Sequence, residues 1–243
     1  ETERVLIQAE RFLQDSCCIP HVTLLPYAAI LVVVSRFFAL FPEPKRRNKE
    51  LLKRWVWRTV FKTVRGGMSS GNVQTRAFLK DVRRGDESGS IQRLLESVGG
   101  RPAGERVAIP IARMNRSDAR ACVCAMWSYY VRAKDYEGAA SIELFDSLVG
   151  GSGSASELLV DYVERHRIAG EENRLYSSLA NKVLLVDEEA HRDADAARSF
   201  MDSHPDMLIL PDGTGGAGSS GDPIRTLGRR EELLSARVNE FFD

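Results

Sequence analysis

Two histidines and an asparagine in the second half of the sequence have a spacing that could support hydrolysis of a phosphodiester. His166, Asn181 and His191 are separated by 15 and 10 residues, and the apolar run 181–186 lies between the last two. In a ββα-metal nuclease one histidine activates water, an asparagine orients that histidine, and a helical side chain holds the divalent ion. The pattern predicts a Mg²⁺ or Mn²⁺ site in which all three residues are catalytic and His191 is also the metal ligand. Surface histidines without a catalytic role are the alternative.

A second feature is a segregation of positive charge in a chain that is neutral as a whole. The sequence has 34 basic and 34 acidic residues, yet the stretch from Lys45 to Arg84 has 13 basic residues against Glu50 and Asp81. A concentrated cationic surface indicates a polyanionic partner, most commonly nucleic acid. A solvated helix face that keeps an apolar protein in solution is the alternative. The predicted DNA-binding residues are Lys53, Arg54, Arg58, Lys62 and Arg65.

The elements that would position these residues are mainly helical. Apolar side chains recur at helical spacing from Leu51 to Val64, with Asn48 as the predicted N-cap and two glycines as the stop. Before them, the apolar run Leu24–Val34 continues to Phe41, with Thr23 as the predicted N-cap. Arg36 interrupts this run, which is shorter than the ~18–20 residues of a bilayer crossing, so it predicts a buried core helix.

The remaining pattern predicts one strand over 181–186 and several further helices. The helices are predicted over residues 72–84, 90–98 (capped by Ser90), 117–134, 157–165, 187–201 and 228–242. The predicted fold is therefore mainly α, a multi-helix bundle with a small β-hairpin, a degenerate ββα unit, in its C-terminal half. The glycine- and serine-rich run 150–154 is typical of a linker. It predicts a helical domain with a basic face over 1–149 and a smaller C-terminal α(+β) domain over 155–243.

The first residue and the cysteines suggest the origin and the location of the chain. It begins with Glu1 rather than Met and shows no secretory signal, so we expect a piece of a longer protein. The four cysteines form the close sets Cys17/Cys18 and Cys122/Cys124, which match neither local disulfides nor the usual zinc spacing. Reduced thiols in a cytoplasmic protein are the expectation.

Four short segments carry a family resemblance: VTLLPY at 22–27, SRFFAL at 35–40, LLKRWVWR at 51–58 and SLANKVLL at 178–185. The first three are similar to the region after the ParB-like domain in bacterial GmrSD-type proteins. The fourth resembles the short asparagine-centred strand of their C-terminal part. The resemblance implies a component of DNA restriction or anti-phage defence.

The resemblance also implies roles for particular residues and partners. In that family a ParB-like domain carries nucleotide-dependent activity, and a C-terminal part often carries an HNH-type nuclease. Asn181 matches the family's asparagine at the strand start, and His191 falls near its metal-side residue. The usual acid-His-aliphatic-x-Pro motif does not occur, and His166 is at best a substitute for its histidine. The implied partners are DNA, an N-terminal ParB-like domain and other subunits of the defence system, with no membrane.

Together these observations predict the C-terminal region of a GmrSD-like protein that binds DNA through a basic helical stripe. Whether it also nicks DNA depends on whether the HNH-type site is intact. The alternative is a non-catalytic helical module that docks on the missing N-terminal domain and regulates it.

Overall fold

The apolar run that begins near residue 24 forms a buried helix in the computed structural model of the chain. Ala29–Leu40 is helical, and Ile30, Val33 and Phe37 are fully buried. The structure describes residues 1–64, 72–100, 105–133, 158–163, 173–185, 193–205, 209 and 222–242. Within these ranges it is mainly helical with one small antiparallel sheet, which confirms the predicted fold class.

The chain divides into two compact units. Unit 1 comprises Glu1–Arg106 with Phe242, and unit 2 contains Val107–Phe241. The domain boundary predicted from the sequence falls at 150–154, outside the described residues, and stays a prediction. None of the helices in the described part of the chain combines the length and the apolar character that a bilayer crossing requires. Of the four free cysteines, Cys18 is half-buried and the others are buried.

Unit 1 is built from five α-helices within its described residues. They are α1 (Thr2–Arg11), α2 (Ala29–Leu40), α3 (Arg46–Val64), α4 (Asn72–Asp81) and α5 (Glu87–Val98). The most extensive pairing is between α3 and α5, and α1 packs on α2. Trp55 of α3 is fully buried and meets Phe78 of α4 edge to face, with 5.3 Å between ring centroids. The apolar spacing in the sequence therefore becomes the inner face of these helices.

Within its described residues, unit 2 combines helices with two three-residue strands. Its elements are α6 (Ser117–Ala133), β1 (Leu159–Asp161), α7 (Asn173–Ser177), β2 (Lys182–Leu184), α8 (Ala194–Ser203) and α9 (Pro223–Phe242). The strands pair antiparallel, with Leu159 opposite Leu184 and Asp161 opposite Lys182. The predicted strand over 181–186 is confirmed for Lys182–Leu184, whereas the predicted helix over 157–165 is wrong where β1 stands.

Three predicted helix starts are wrong. In each case the side chain predicted to cap the helix has another partner: His21 for Thr23, Glu87 for Asn48 and the Asp86 carbonyl for Ser90. Thr23 lies in a short 3-10 turn, and α2 begins only at Ala29. The amide of Asn48, inside α3, donates to Glu87 Oε1 at 2.7 Å. Asp86 rather than Ser90 caps α5, because the Asp86 carboxylate accepts from the Gly89 N–H at 3.0 Å. α2 ends at Leu40, one residue before the end of the apolar run, and α5 ends at Val98, which is the predicted end of the helix over 90–98.

Two later helices also differ in extent from the sequence expectation. α8 begins after Asp193, whose carboxylate accepts the Ala196 N–H at 2.8 Å, while the predicted start at 187 lies outside the described residues. α9 begins at Pro223, five residues before the predicted start, because proline suits the first turn of a helix. The apolar spacing thus predicted both helices correctly, but the residues at the helix starts determine where each helix begins.

A buried hydroxyl in α3 gives a stability prediction for unit 1. Thr59 is fully buried, and its Oγ1 has no hydrogen-bond partner among the described residues. Thr59→Val replaces this group with a methyl of similar shape, so we expect the free energy of unfolding to rise by about 1 kcal/mol. Urea denaturation followed by circular dichroism measures the change. The neighbouring Val60→Thr is the control and should lower stability; a loss of stability in Thr59→Val would contradict the assignment.

Candidate nucleic-acid interface

The two sides of α3 differ sharply in chemistry. Trp55, Val56 and Val60 are fully buried, whereas Arg54 is exposed and Lys53 and Arg58 are half-buried at the surface. Arg54 and Arg58 are four residues apart, so they lie on the same side of the helix about 6 Å apart along its axis. The apolar side anchors the helix in unit 1 and holds these cations outward. Exposed cations continue toward the start of α3 at Arg46, Arg47 and Lys49.

Two other predicted DNA-binding residues have different surroundings. Lys62 is half-buried, and its Nζ donates to the carbonyl oxygen of Ser97 near the end of α5, at 3.4 Å. Its ammonium is therefore directed toward α5 as well as toward solvent. Arg65 lies outside the described residues. The part of the predicted stripe that the structure brings together consists of Lys53, Arg54 and Arg58.

No ion pair involves Lys53, Arg54 or Arg58 within the described part of unit 1, and Glu50, one turn before Arg54, is the exposed carboxylate on the same helix. Residues 1–106 have 19 basic and 11 acidic residues, a net charge of +8, and residues 107–243 have 15 and 23, a net charge of −8. Unit 1 is therefore basic and unit 2 acidic, although the two net charges cancel over the whole chain. A surplus of unpaired exposed cations is what a phosphate backbone attracts.

Asn181, predicted to be catalytic, is fully buried at the end of a short 3-10 turn directly before β2. Its Oδ1 accepts from the Val163 N–H at 2.8 Å, and its Nδ2 donates to the Val163 carbonyl at 3.2 Å. The backbone N–H of Tyr162 also donates to the Asn181 carbonyl at 2.8 Å. The side-chain amide thus extends the sheet beyond β1 as a strand's own peptide group would. This geometry assigns Asn181 a structural task, and its catalytic role stays a prediction.

Two further buried polar side chains hold backbone in unit 2. Asn239 accepts from the Val107 N–H at 2.8 Å and donates to its carbonyl at 3.2 Å, which repeats the arrangement of Asn181. Arg230 is fully buried, and its Nη1 donates to the carbonyl oxygens of Leu179 (3.1 Å) and Ala180. Burial lowers the pKa of Arg230 to about 10, so it remains charged at neutral pH. Sequence patterns did not identify either residue, because their partners are distant in the chain.

The other two members of the predicted catalytic set, His166 and His191, lie outside the described residues. Among the side chains that are described, no group of three His, Cys, Asp or Glu lies close enough together to hold a metal ion. Asp161, beside Asn181, forms an ion pair with Lys182 and accepts from the Tyr176 hydroxyl at 2.6 Å. The predicted assignment of the Mg²⁺ or Mn²⁺ ion to His191 therefore stays a prediction.

Comparison of the chain with family models, with curated proteins and with solved structures finds no match. The resemblance to GmrSD-type proteins accordingly rests on the four short segments quoted above. Function is therefore inferred from the residues of the site.

The role of Asn181 gives a prediction for unit 2. Asn181→Ala removes both hydrogen bonds to Val163 and leaves that residue's buried N–H and carbonyl unsatisfied. We expect the free energy of unfolding to fall by on the order of 2–4 kcal/mol. Urea denaturation measures the change.

Asn239→Ala is the matched control, because it removes the same pair of bonds from Val107. The two variants should lose similar stability. An Asn181→Ala protein as stable as the parent chain, beside a destabilised Asn239→Ala protein, would contradict the structural role of Asn181.

Proposed function

We propose that unit 1 binds DNA through the exposed face of α3, chiefly by contacts of Lys53, Arg54 and Arg58 with backbone phosphates. The observation that carries this proposal is the position of these cations at the surface, where Arg54 is exposed and the other two are half-buried, without ion-pair partners among the described residues. Cations that hold no internal ion pair are available to replace the counterions of DNA, which is the main source of sequence-independent affinity.

The burial of the aromatic residues supports phosphate contacts rather than base stacking. Trp55 and Phe78 are fully buried, and Trp57 and Phe61 are 7% and 6% exposed. Proteins that bind single strands usually stack bases on exposed aromatic rings. No such ring is exposed in the described part of unit 1. Binding would therefore depend on salt and on the duplex backbone, with little dependence on base sequence.

A nicking activity is the second candidate. The antiparallel pair β1 and β2 followed by α8 favours it, because a ββα-metal site has two strands followed by a helix, although α7 lies between the two strands here. His166 and His191 would supply the catalytic and metal-binding groups, with Mg²⁺ or Mn²⁺ as the cofactor. In a GmrSD-like protein such a site would cut the DNA that unit 1 holds. Nicking of plasmid that requires divalent ions and is lost in both His166→Ala and His191→Ala would support it. Equal nicking by these variants and the parent chain would contradict it.

The histidine variants are a better test of catalysis than Asn181→Ala. Removal of the Asn181 amide leaves the N–H and the carbonyl of Val163 without hydrogen-bond partners. A loss of activity in that variant would therefore also follow from a loss of stability. Each histidine variant should be compared with the parent chain for its urea midpoint before its activity is interpreted.

The α3 face gives a direct prediction for DNA binding. Arg54→Gln with Arg58→Gln removes two predicted phosphate contacts. Each contact contributes about 0.9 to the slope of log K against log salt, so the slope should become shallower by about 2. Affinity for a duplex near 150 mM salt should fall roughly tenfold or more. A fluorescence anisotropy titration of a labelled duplex at several salt concentrations measures both.

Arg4→Gln with Arg11→Gln is the matched control. Both residues are exposed on α1 of the same unit, so this variant has the same change of net charge. It should keep the parent slope to within about 0.5 of a unit, because each contact contributes about 0.9. Equal losses in the two double variants would show that overall charge, rather than α3, governs binding.

A further inference from the structure

We propose that unit 1 has a second phosphate-contacting patch, formed by the α4–α5 turn and the start of α3, that binds the same DNA duplex as the α3 face. Its residues are Lys45, Arg46, Lys49, Arg83 and Arg84. The proposal rests on the proposed function, since it names further contacts and the kind of nucleic acid involved.

The start of α3 and the start of α5 are joined by hydrogen bonds. Glu87 Oε1 accepts from the Lys45 backbone N–H at 2.8 Å and from Asn48 Nδ2 at 2.7 Å. Asn48 Nδ2 also donates to Ser88 Oγ at 3.2 Å. At the other end, Lys62 bonds to Ser97, so the two helices run parallel with both N-termini at one end. The turn before α5 therefore lies at the same end of unit 1 as Lys45.

The turn that carries Arg83 and Arg84 is held by hydrogen bonds to its backbone. Arg93 Nε donates to the Asp81 carbonyl at 3.0 Å, and Arg36 Nε donates to the Val82 carbonyl at 3.3 Å. The buried hydroxyl of Ser90 accepts from the Arg83 N–H at 2.9 Å. Such bracing fixes the backbone before a ligand arrives, which lowers the entropy that binding would cost.

Gly85 closes this turn in a conformation that other residues rarely adopt. Its φ is +77°, in the left-handed region that glycine enters without strain. The chain can therefore reverse from α4 into α5 directly after the two arginines. Arg83 and Arg84 are both exposed.

Two carboxylates near the turn, those of Asp86 and Glu87, already have partners within unit 1, and the carboxylate of Asp81 interacts electrostatically with Arg93 and Arg83. Asp86 pairs with Arg93 at 2.9 Å and accepts the Gly89 N–H, and these bonds hold its pKa below the ordinary range. Glu87 accepts the bonds from α3 described above. All five cations of the patch are exposed, and no ion pair within the described ranges involves any of them. The exposed acids Glu43 and Glu50 leave a clear positive surplus.

The extent of the combined surface indicates the class of ligand. Arg46 and Arg58 are 12 residues apart in α3, which corresponds to about 18 Å along the helix axis. One phosphate group cannot contact both ends, so the surface fits an extended polyanion. Duplex DNA presents a phosphate every 1.7 Å or so of its axis when both strands are counted, and its fixed shape suits a braced surface.

The test is a salt-dependent titration of a labelled DNA duplex with the full chain and its variants. Arg83→Gln with Arg84→Gln should make the slope of log K against log salt shallower by about 2, as for two lost phosphate contacts. The control Arg4→Gln with Arg11→Gln should keep the parent slope. Thermal midpoints equal to that of the parent chain exclude unfolding as the cause.

The outcomes separate this inference from the proposed function. A loss with the Arg54/Arg58 variant but not with the Arg83/Arg84 variant would overturn the second patch and leave DNA binding by α3 intact. If the salt slopes of the Arg54/Arg58 variant and of the Arg83/Arg84 variant both equal that of the control, the second patch and the DNA-binding function of α3 are both overturned.

A competition experiment tests the class of polyanion. A single strand of equal phosphate concentration should compete less well than the duplex, and so should phosphatidylglycerol vesicles of equal charge. Stronger competition by the single strand, or by the vesicles, would overturn the assignment to a duplex in favour of that ligand.

Discussion

The parallel packing of α3 against α5 is the constraint on which the proposed DNA-binding surface depends. The apolar side of α3 is buried, with Trp55 against Phe78 of α4, and the cations lie on the opposite side. The same packing places both helix starts at one end, where Glu87 bonds to Lys45 and Asn48. The packing of α3 on α5 therefore brings cations from two separate parts of the sequence to the same end of unit 1. Hydrophobic burial drives the packing, and the polar bonds at its end fix the register.

The electrostatic character of unit 1 follows from which charges are used in folding. The carboxylates of Asp86 and Glu87 hold helix starts and Arg93, whereas the cations near them project into solvent. Within unit 1, these two carboxylates are therefore bonded inside the fold, while the nearby cations remain exposed. Unit 2 uses buried polar groups differently, because Asn181, Asn239 and Arg230 all bond to backbone that regular strands do not satisfy. Asn181 and Arg230 bond to backbone next to the short sheet, and Asn239 bonds to Val107.

The sequence could predict whatever depends on neighbours along the chain. Helical spacing identified α3 and α6, and residues at i and i+4 identified the outward stripe of Arg54 and Arg58. It could not identify β1, since Asp161 pairs with Lys182, 21 residues later. Asn48 has the residue type of an N-cap, but its partners are on α5.

The candidate site shows the same limit. The cations of α3 share one helix, and spacing alone places them together. The approach of Arg83 and Arg84 to the end of the unit where α3 starts depends on parallel helix packing, which no local pattern specifies. Asn181 was predicted to start the strand and lies one residue before it, and its bonds to Val163 became visible only in the fold.

Acetylation of the lysines in the presence and absence of a DNA duplex tests the central claim most directly. Lys45, Lys49 and Lys53 lie on the surface that should contact phosphates, and mass spectrometry reports the modification rate of each. If DNA binds to this surface, the duplex protects all three lysines at low salt, and protection disappears near 1 M salt, where screening is strong. Unchanged rates at all three lysines while the duplex is bound would show that DNA binds elsewhere and would contradict the account.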